Sequence, residues 1–338
     1  MKKFLLLLIG LMSLYGCDKD PINGPIEEPG IHNWTRHPEN PVLVPGSPGE
    51  WDQECITPGS VIFHDGLYHM WYAGGIFTDT MRIGHATSQD GITWDKDPAN
   101  PVLDVGATGT WDENSLVGGY VIRMGSMFHM WYTGHGGQDF NTNYRIGHAT
   151  STDGTHWEKD PGNPVINPGQ SGSWDDAWIS GGHVVFDGSE YHIYYSGFGT
   201  GVEHVSCGHA TSPDALTWTK DGLNPVLTGQ PGSWDFHRVD LPSVVIAGNT
   251  FHMWYMAGHW FDWKIGYASS EDGSSWTRYG LKPVFTWGSP GSWDANSVGF
   301  CSVMDSSGVK YKMWYSGSNT EETGSIGYAE SLTSNSGS

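Results

Sequence analysis

The dipeptide Trp-Asp returns five times, at Trp51, Trp111, Trp174, Trp234 and Trp293, with intervals of 60, 63, 60 and 59 residues. Each copy continues in the same way. An apolar run comes first, such as Val61-Ile62-Phe63 or Val184-Val185-Phe186. Tyr68-His69-Met70-Trp71-Tyr72 follows, echoed at 128–132, 191–195, 251–255 and 311–315. Ile83-Gly84-His85-Ala86-Thr87-Ser88 is echoed from Ile146, Cys207, Ile265 and Ile326. Asp90-Gly91-Ile92-Thr93-Trp94 then leads into Asn100-Pro101-Val102-Leu103. Each unit holds four short β-type runs separated by turn chemistry. A four-stranded unit repeated radially is a propeller blade. The 48 glycines among 338 residues fit a turn-rich all-β chain and argue against long helices.

The ends of the repeat test closure. The last copy stops after Ala329, without its Trp and Asn-Pro-Val segment, and the missing piece stands at the start, from Trp34 to Leu43. Five complete blades therefore require the N-terminal strand to finish the last one. A ring also protects strand edges that an open stack would expose. The expectation is all-β: a five-bladed propeller of four antiparallel strands per blade, one domain over residues 31–331.

Residues 1–17 read as a lipoprotein signal peptide. Met1-Lys2-Lys3 is basic, residues 4–14 are apolar but too short to span a bilayer, and Leu14-Tyr15-Gly16-Cys17 resembles a bacterial lipobox with Cys17 as the lipidated residue. An ordinary signal peptide is the alternative. Asp18-Lys19-Asp20 resembles the surface-export signal of some Bacteroidetes lipoproteins. Residues 18–30, rich in Pro and Gly, read as a tether, and 332–338 as a C-terminal tail. The expected location is the bacterial outer membrane or cell surface, with membrane contact only through the lipid. Cys55, Cys207 and Cys301 are too few for a disulfide framework and lack zinc spacing. Buried thiols are expected, with a Cys55–Cys301 bridge as the alternative. With 37 acidic and 16 basic residues the formal charge is −21, which excludes a nucleic-acid partner. A monomer is expected.

In five similar blades, whatever recurs is scaffold and whatever departs is a candidate for chemistry. The Asp of each Trp-Asp pair recurs and reads as a turn or cap group. His69, His129, His192 and His252 share one strand position, and His85, His148 and His209 another, so these seven read as scaffold. The innermost strand of each blade starts just after Trp-Asp. Its openings read Gln53-Glu54-Cys55-Ile56-Thr57, Glu113-Asn114-Ser115-Leu116-Val117, Asp176-Ala177-Trp178-Ile179-Ser180, Phe236-His237-Arg238-Val239-Asp240 and Ala295-Asn296-Ser297-Val298-Gly299. The fourth position is always aliphatic and is expected in the blade packing. Alternation then aims the third and fifth at the axis, and only the fourth blade puts charges there, Arg238 and Asp240. The variable loops on the same face add Asp79, His135, Asp139, Phe198, Glu203, His259, Trp260, Asp262 and Trp263. Trp178, Trp260 and Trp263 suit stacking on sugar faces. His183 is the sole imidazole at its inner-strand position.

Together the five-blade count and these motifs resemble the five-bladed propeller glycosidase superfamily, which includes glycoside hydrolase families 43, 32, 62, 68 and 117 and the mannoside phosphorylases of family 130. Family 43 enzymes use three acidic residues from inner strands, the base standing in an Asp-Pro pair that opens the first one. Here that place reads Thr57-Pro58-Gly59, and the nearest equivalent is Asp240-Leu241-Pro242 in the fourth blade. The resemblance implies a carbohydrate partner and inverting hydrolysis, which needs a protonated and an ionised carboxyl group with water between. Asp240 is the expected base and Glu203 the expected acid, with Glu54 as alternative acid or pKa tuner. Arg238 would hold Asp240 ionised or grip substrate, while His135, His237 and His259 would bind hydroxyls. No cofactor is required. A structural Ca2+ in the channel, as in some relatives, would make His183 a ligand. The primary expectation is a surface glycoside hydrolase acting on plant or algal poly- or oligosaccharide; the alternatives are a non-catalytic glycan-binding propeller and a phosphorylase.

Overall fold

The computed structural model describes residues 30–331 apart from 77–79, 138–142, 260–261, 307–309 and 320–323. Twenty strands and no helix occur among the described residues. The first blade is β2 (Cys55–His64), β3 (Leu67–Gly75), β4 (Met81–Ser88) and β5 (Asp95–Lys96). The second is β6 (Ser115–Met124), β7 (Met127–His135), β8 (Tyr144–Ser151) and β9 (Glu158–Lys159). The third is β10 (Trp178–Phe186), β11 (Tyr191–Phe198), β12 (Ser206–Ser212) and β13 (Thr219–Lys220). The fourth is β14 (Val239–Ala247), β15 (Thr250–His259), β16 (Asp262–Ser270) and β17 (Thr277–Arg278). The fifth takes β18 (Ser297–Asp305), β19 (Tyr311–Ser318) and β20 (Ser325–Ser331), and β1 (Trp34–Arg36) supplies its outer strand, pairing Thr35 with Glu330. The closure expected from the repeat is therefore present.

The core lies between blades. Five hydrophobic clusters fill the five seams. One joins Trp71 and Ile83 of the first blade to Leu116 and Met130 of the second. Another joins Trp314 and Ile326 of the fifth to Ile56 and Met70 of the first, so the last seam is packed like the others. Trp71 donates its indole N–H to the Gly154 carbonyl 2.8 Å away in the next blade, and Trp314 does the same to Gly91 at 2.7 Å. In the third blade Ala215 replaces the glycine and keeps a positive φ of 62°. There the Trp131 and Trp218 indole N–H groups have no partner among the described residues.

The recurrent Asp residues are clamps rather than simple caps. Asp52, Asp112, Asp175, Asp235 and Asp294 are all buried. Each pairs with a basic side chain of its blade's outer strand: Lys96 (2.6 Å), Lys159 (2.7 Å), Lys220 (2.6 Å), Arg278 (2.9 Å) and Arg36 (2.7 Å). A tyrosine hydroxyl adds a second donor, as Tyr72 does to Asp52 at 3.2 Å. Burial of a carboxylate is tolerated because it is paired and hydrogen-bonded.

Each inner strand bulges at the same place, at Pro58/Ser60, Gly118/Tyr120, Gly181/His183, Asp240/Ser243 and Gly299/Ser302. The side chain just past the bulge reaches the next blade. Ser60 accepts from the Val121 amide (2.8 Å), His183 Nδ1 from Val244 (3.4 Å), Ser243 from Val303 (3.0 Å) and Ser302 from Val61 (2.9 Å). The last of these crosses the closing seam. Cys55, Cys207 and Cys301 are buried free thiols, so the Cys55–Cys301 bridge does not form.

Candidate functional site

The aliphatic positions of the inner strands, Ile56, Leu116, Ile179, Val239 and Val298, are fully buried, as alternation requires. On the fourth blade this register leaves Arg238 and Asp240 together. Arg238 Nη1 donates to Asp240 Oδ2 at 2.5 Å, with the arginine side chain 27% exposed and the aspartate 4%. Asp240 Oδ1 also accepts from the Leu241 amide at 2.9 Å, and that amide lies 2.7 Å from Ser196 Oγ of the third blade. Leu241 is held at a φ of 46°. Phe300 has a φ of 41° at the matching bulge of the fifth blade, so the left-handed turn belongs to the bulge itself. Here the bulge and the Ser196 bond enforce it.

The charge of Asp240 reaches groups on two other blades. Burial first, and Asp240 second, raise Tyr120 of the second blade above the usual phenol range, and the same two causes raise the Cys207 thiol of the third.

The other expected residues are distributed over the same face. Glu203 is exposed, two residues before Val205, which bridges Arg238 in parallel. Val205 N donates to the His237 carbonyl (3.1 Å), and Val239 N to the Val205 carbonyl (3.0 Å), so the Glu203 loop is laced to the strand that carries Asp240. Glu54 is also exposed but belongs to another seam, where Cys55 bridges Gly324 of the fifth blade. His237 and His259 meet edge to face at 4.5 Å, both exposed. Trp178 stacks on Phe198 at 5.8 Å and meets Tyr144 at 6.3 Å. Trp263 meets Phe300 at 6.2 Å, and Asp262 pairs with Lys264 at 2.9 Å. His135 is fully buried against Tyr144, with ring centres 4.6 Å apart, so it is packed inside the second blade rather than offered to a sugar. Asp79, Asp139, Trp260 and Cys17 lie outside the described residues.

His183 does not suit a cation. Its Nδ1 is taken up as an acceptor in the seam, and Tyr120 lies edge-on at 5.6 Å. Among the described residues no three His, Cys, Asp or Glu side chains are grouped to hold a metal ion. Ca2+ needs six to eight oxygen ligands, which a lone imidazole among seam serines does not provide.

Sequence reasoning passed over Tyr120, Leu241 and Phe300, while Phe198 stood among the variable-loop residues it placed on this face. Tyr120 had a readable signal: aligned by blade, its position holds Ser60, Tyr120, His183, Ser243 and Ser302. The others depended on the bulge and on contacts between blades. The face offers a carboxylate held by a guanidinium, the exposed Glu203 on a loop laced to the same strand, the exposed His237–His259 pair, and aromatic side chains. Such a set suits a polyhydroxylated ligand with apolar faces.

The chain is similar to several known proteins. The family model for the glycosyl hydrolases family 32 N-terminal domain matches residues 57–178. The chain is 30% identical over 214 residues to "Uncharacterized protein Rv1502" of Mycobacterium tuberculosis, covering 61% of this chain and 68% of that one. It is 26% identical over 234 residues to a 1,2-beta-oligomannan phosphorylase of Thermoanaerobacter sp., covering 65% and 69%. Among solved structures, a thermostable family-43 glycoside hydrolase superposes with a TM-score of 0.64 at 19% identity, over 83% of this chain and 90% of that one. A beta-1,2-mannobiose phosphorylase from Listeria innocua superposes with a TM-score of 0.70 at 13% identity, over 89% and 97%.

Proposed function

We propose, from the premise that this chain belongs to the five-bladed β-propeller glycosidase superfamily, that it hydrolyses a glycosidic bond of a plant or algal poly- or oligosaccharide. The observation that carries the reading is the Arg238–Asp240 pair, the one charged pair at the inner-strand openings of the described residues. In the proposed reaction Asp240 takes a proton from a water molecule as that water attacks the anomeric carbon. Glu203 gives its proton to the departing glycosidic oxygen, and the anomeric configuration inverts. Glu54 is the alternative acid. Arg238 pairs with Asp240 and keeps it aimed. His237 and His259 bind sugar hydroxyls, and Trp178 and Trp263 pack against the apolar faces of the rings. A lipid on Cys17 would present this face at the bacterial surface.

Phosphorolysis is the second reading, favoured by the phosphorylase names among the relatives. It needs an anion pocket, and Arg238, the cation at these openings, is already neutralised by Asp240. The deciding experiment offers purified protein plant and algal polysaccharides and β-1,2-mannobiose, with and without inorganic phosphate. New reducing ends without phosphate are expected. Asp240→Asn should lower that rate by roughly 10²–10⁴-fold and leave sugar binding in place. Strict phosphate dependence would replace hydrolysis by phosphorolysis, and an active Asp240→Asn would remove Asp240 from the chemistry.

A further inference from the structure

Four of the five side chains just past the inner-strand bulges close a seam, as Ser60, His183, Ser243 and Ser302 accept an amide of the following blade. The fifth is Tyr120. By the same pattern it would accept from Val184, and no such bond joins them. Instead its ring folds back over its own strand, lying where a Cβ on Gly118 would meet its Cε2 at 2.9 Å. It fills the channel beside His183 and is buried. Below it a cavity of ≈ 490 Å³ opens on the opposite face, walled by the apolar ends of the inner strands and roofed by Ser60, Tyr120, His183 and Ser302. Above it stands Asp240, whose charge reaches it. The phenolic hydroxyl has no protein partner among the described residues. A position that gives up a seam bond its four counterparts make, and spends a bulky aromatic on the axis instead, departs from scaffold logic in the way functional sites do.

We propose that Tyr120 is the floor of the sugar site. Its ring closes the axial channel so that the upper face is a blind pocket, and its hydroxyl donates a hydrogen bond to a hydroxyl of the sugar seated over Asp240. A blind pocket admits a chain end, so the substrate class is a polysaccharide or oligosaccharide attacked from its terminus. The proposal rests on the glycosidase reading. At neutral pH the phenol is a donor, since burial and the nearby carboxylate both oppose its ionisation.

The test compares wild type, Tyr120→Phe and Tyr120→Ser by thermal melting and by turnover of the polysaccharide panel, with product sizes followed by chromatography. Wild type should release short products from the earliest times. Tyr120→Phe should melt at the wild-type temperature, because no protein group loses a partner, while kcat/KM falls about tenfold, the value of one neutral hydrogen bond. Tyr120→Ser, which supplies the hydroxyl used in the other seams, should fold and lose more activity. A Tyr120→Phe protein that melts clearly lower would make the hydroxyl structural and overturn the proposal. Unchanged turnover in Tyr120→Phe, or mid-chain cleavage by wild type, would overturn it as well. An inert wild type would instead defeat the glycosidase reading, and the melting comparison would still decide whether the hydroxyl is structural.

Discussion

Closing the ring with the first strand makes Arg36 a test of the whole architecture. Its Nε lies 2.7 Å from Asp294 Oδ2, with the aspartate 1% exposed and the arginine 31%. The guanidinium also donates to the Thr286 carbonyl and lies 4.1 Å over the Phe285 ring. Arg36→Ala would leave Asp294 buried with two neutral donors and no charge partner, the hydroxyls of Tyr315 at 3.1 Å and Ser292 at 2.9 Å. Stripping one partner from a buried pair costs about 3–5 kcal/mol. Solvent reaches a third of the arginine and screens the pair, so the expected loss is about 2–3 kcal/mol. At about 2 °C per kcal/mol for a chain of this size, the melting point should fall by roughly 5 °C. Lys96→Ala breaks the corresponding clamp in a blade built from contiguous chain and should cost a similar amount. A double-mutant cycle of Arg36→Ala with Asp294→Asn, read by urea unfolding, isolates the pair. A coupling of about 1–2 kcal/mol is expected. A coupling near zero, with melting unchanged, would mean that the first strand does not hold the ring shut.

Two further outcomes follow from other parts of the scaffold. Burial, then the neighbouring His129, lower His148 to about 4. An unfolded imidazole binds protons below about 6.5, so stability is unaffected above that pH and falls as pH drops from there toward 4. The loss should reach about 2 kcal/mol at pH 5, and His148→Gln should flatten the pH dependence of urea unfolding by that amount; parallel profiles would refute the assignment. Gly154 has a φ of 81°, and a Cβ there would stand 3.0 Å from Trp71 Cζ2. Gly154→Ala should therefore cost about 2–3 kcal/mol, against about 1 kcal/mol for Gly125→Ala, whose left-handed glycine faces open space. Equal losses in the two melting curves would show that strain alone, without the Trp71 contact, sets the cost.

Much of this protein was legible before any coordinates, because the repeat lets the chain be compared with itself. The five Trp-Asp pairs counted the blades, and the piece missing after Ala329 but present at Trp34 placed the closing strand. The invariant aliphatic position named Ile56, Leu116, Ile179, Val239 and Val298 as packing, and that register singled out Arg238 and Asp240. The Asp residues of the repeat could be classed as scaffold, but their clamp to Lys96, Lys159, Lys220, Arg278 and Arg36 spans a whole blade and had no local pattern to announce it.

What the sequence by itself determined is the order and number of strands, since alternation and turn residues act within a few positions of each other. The tertiary structure decided which side chains share the axis. The bulge inserts one residue into every inner strand, so alternation carried past it points the wrong way. That shift set Tyr120 into the channel, and the contact with Val244 of the next blade took up His183 as a seam acceptor. His135 was settled in the same way, by Tyr144 packing over it. Contacts around a ring join residues distant in the chain, and no local pattern records which neighbour each will meet.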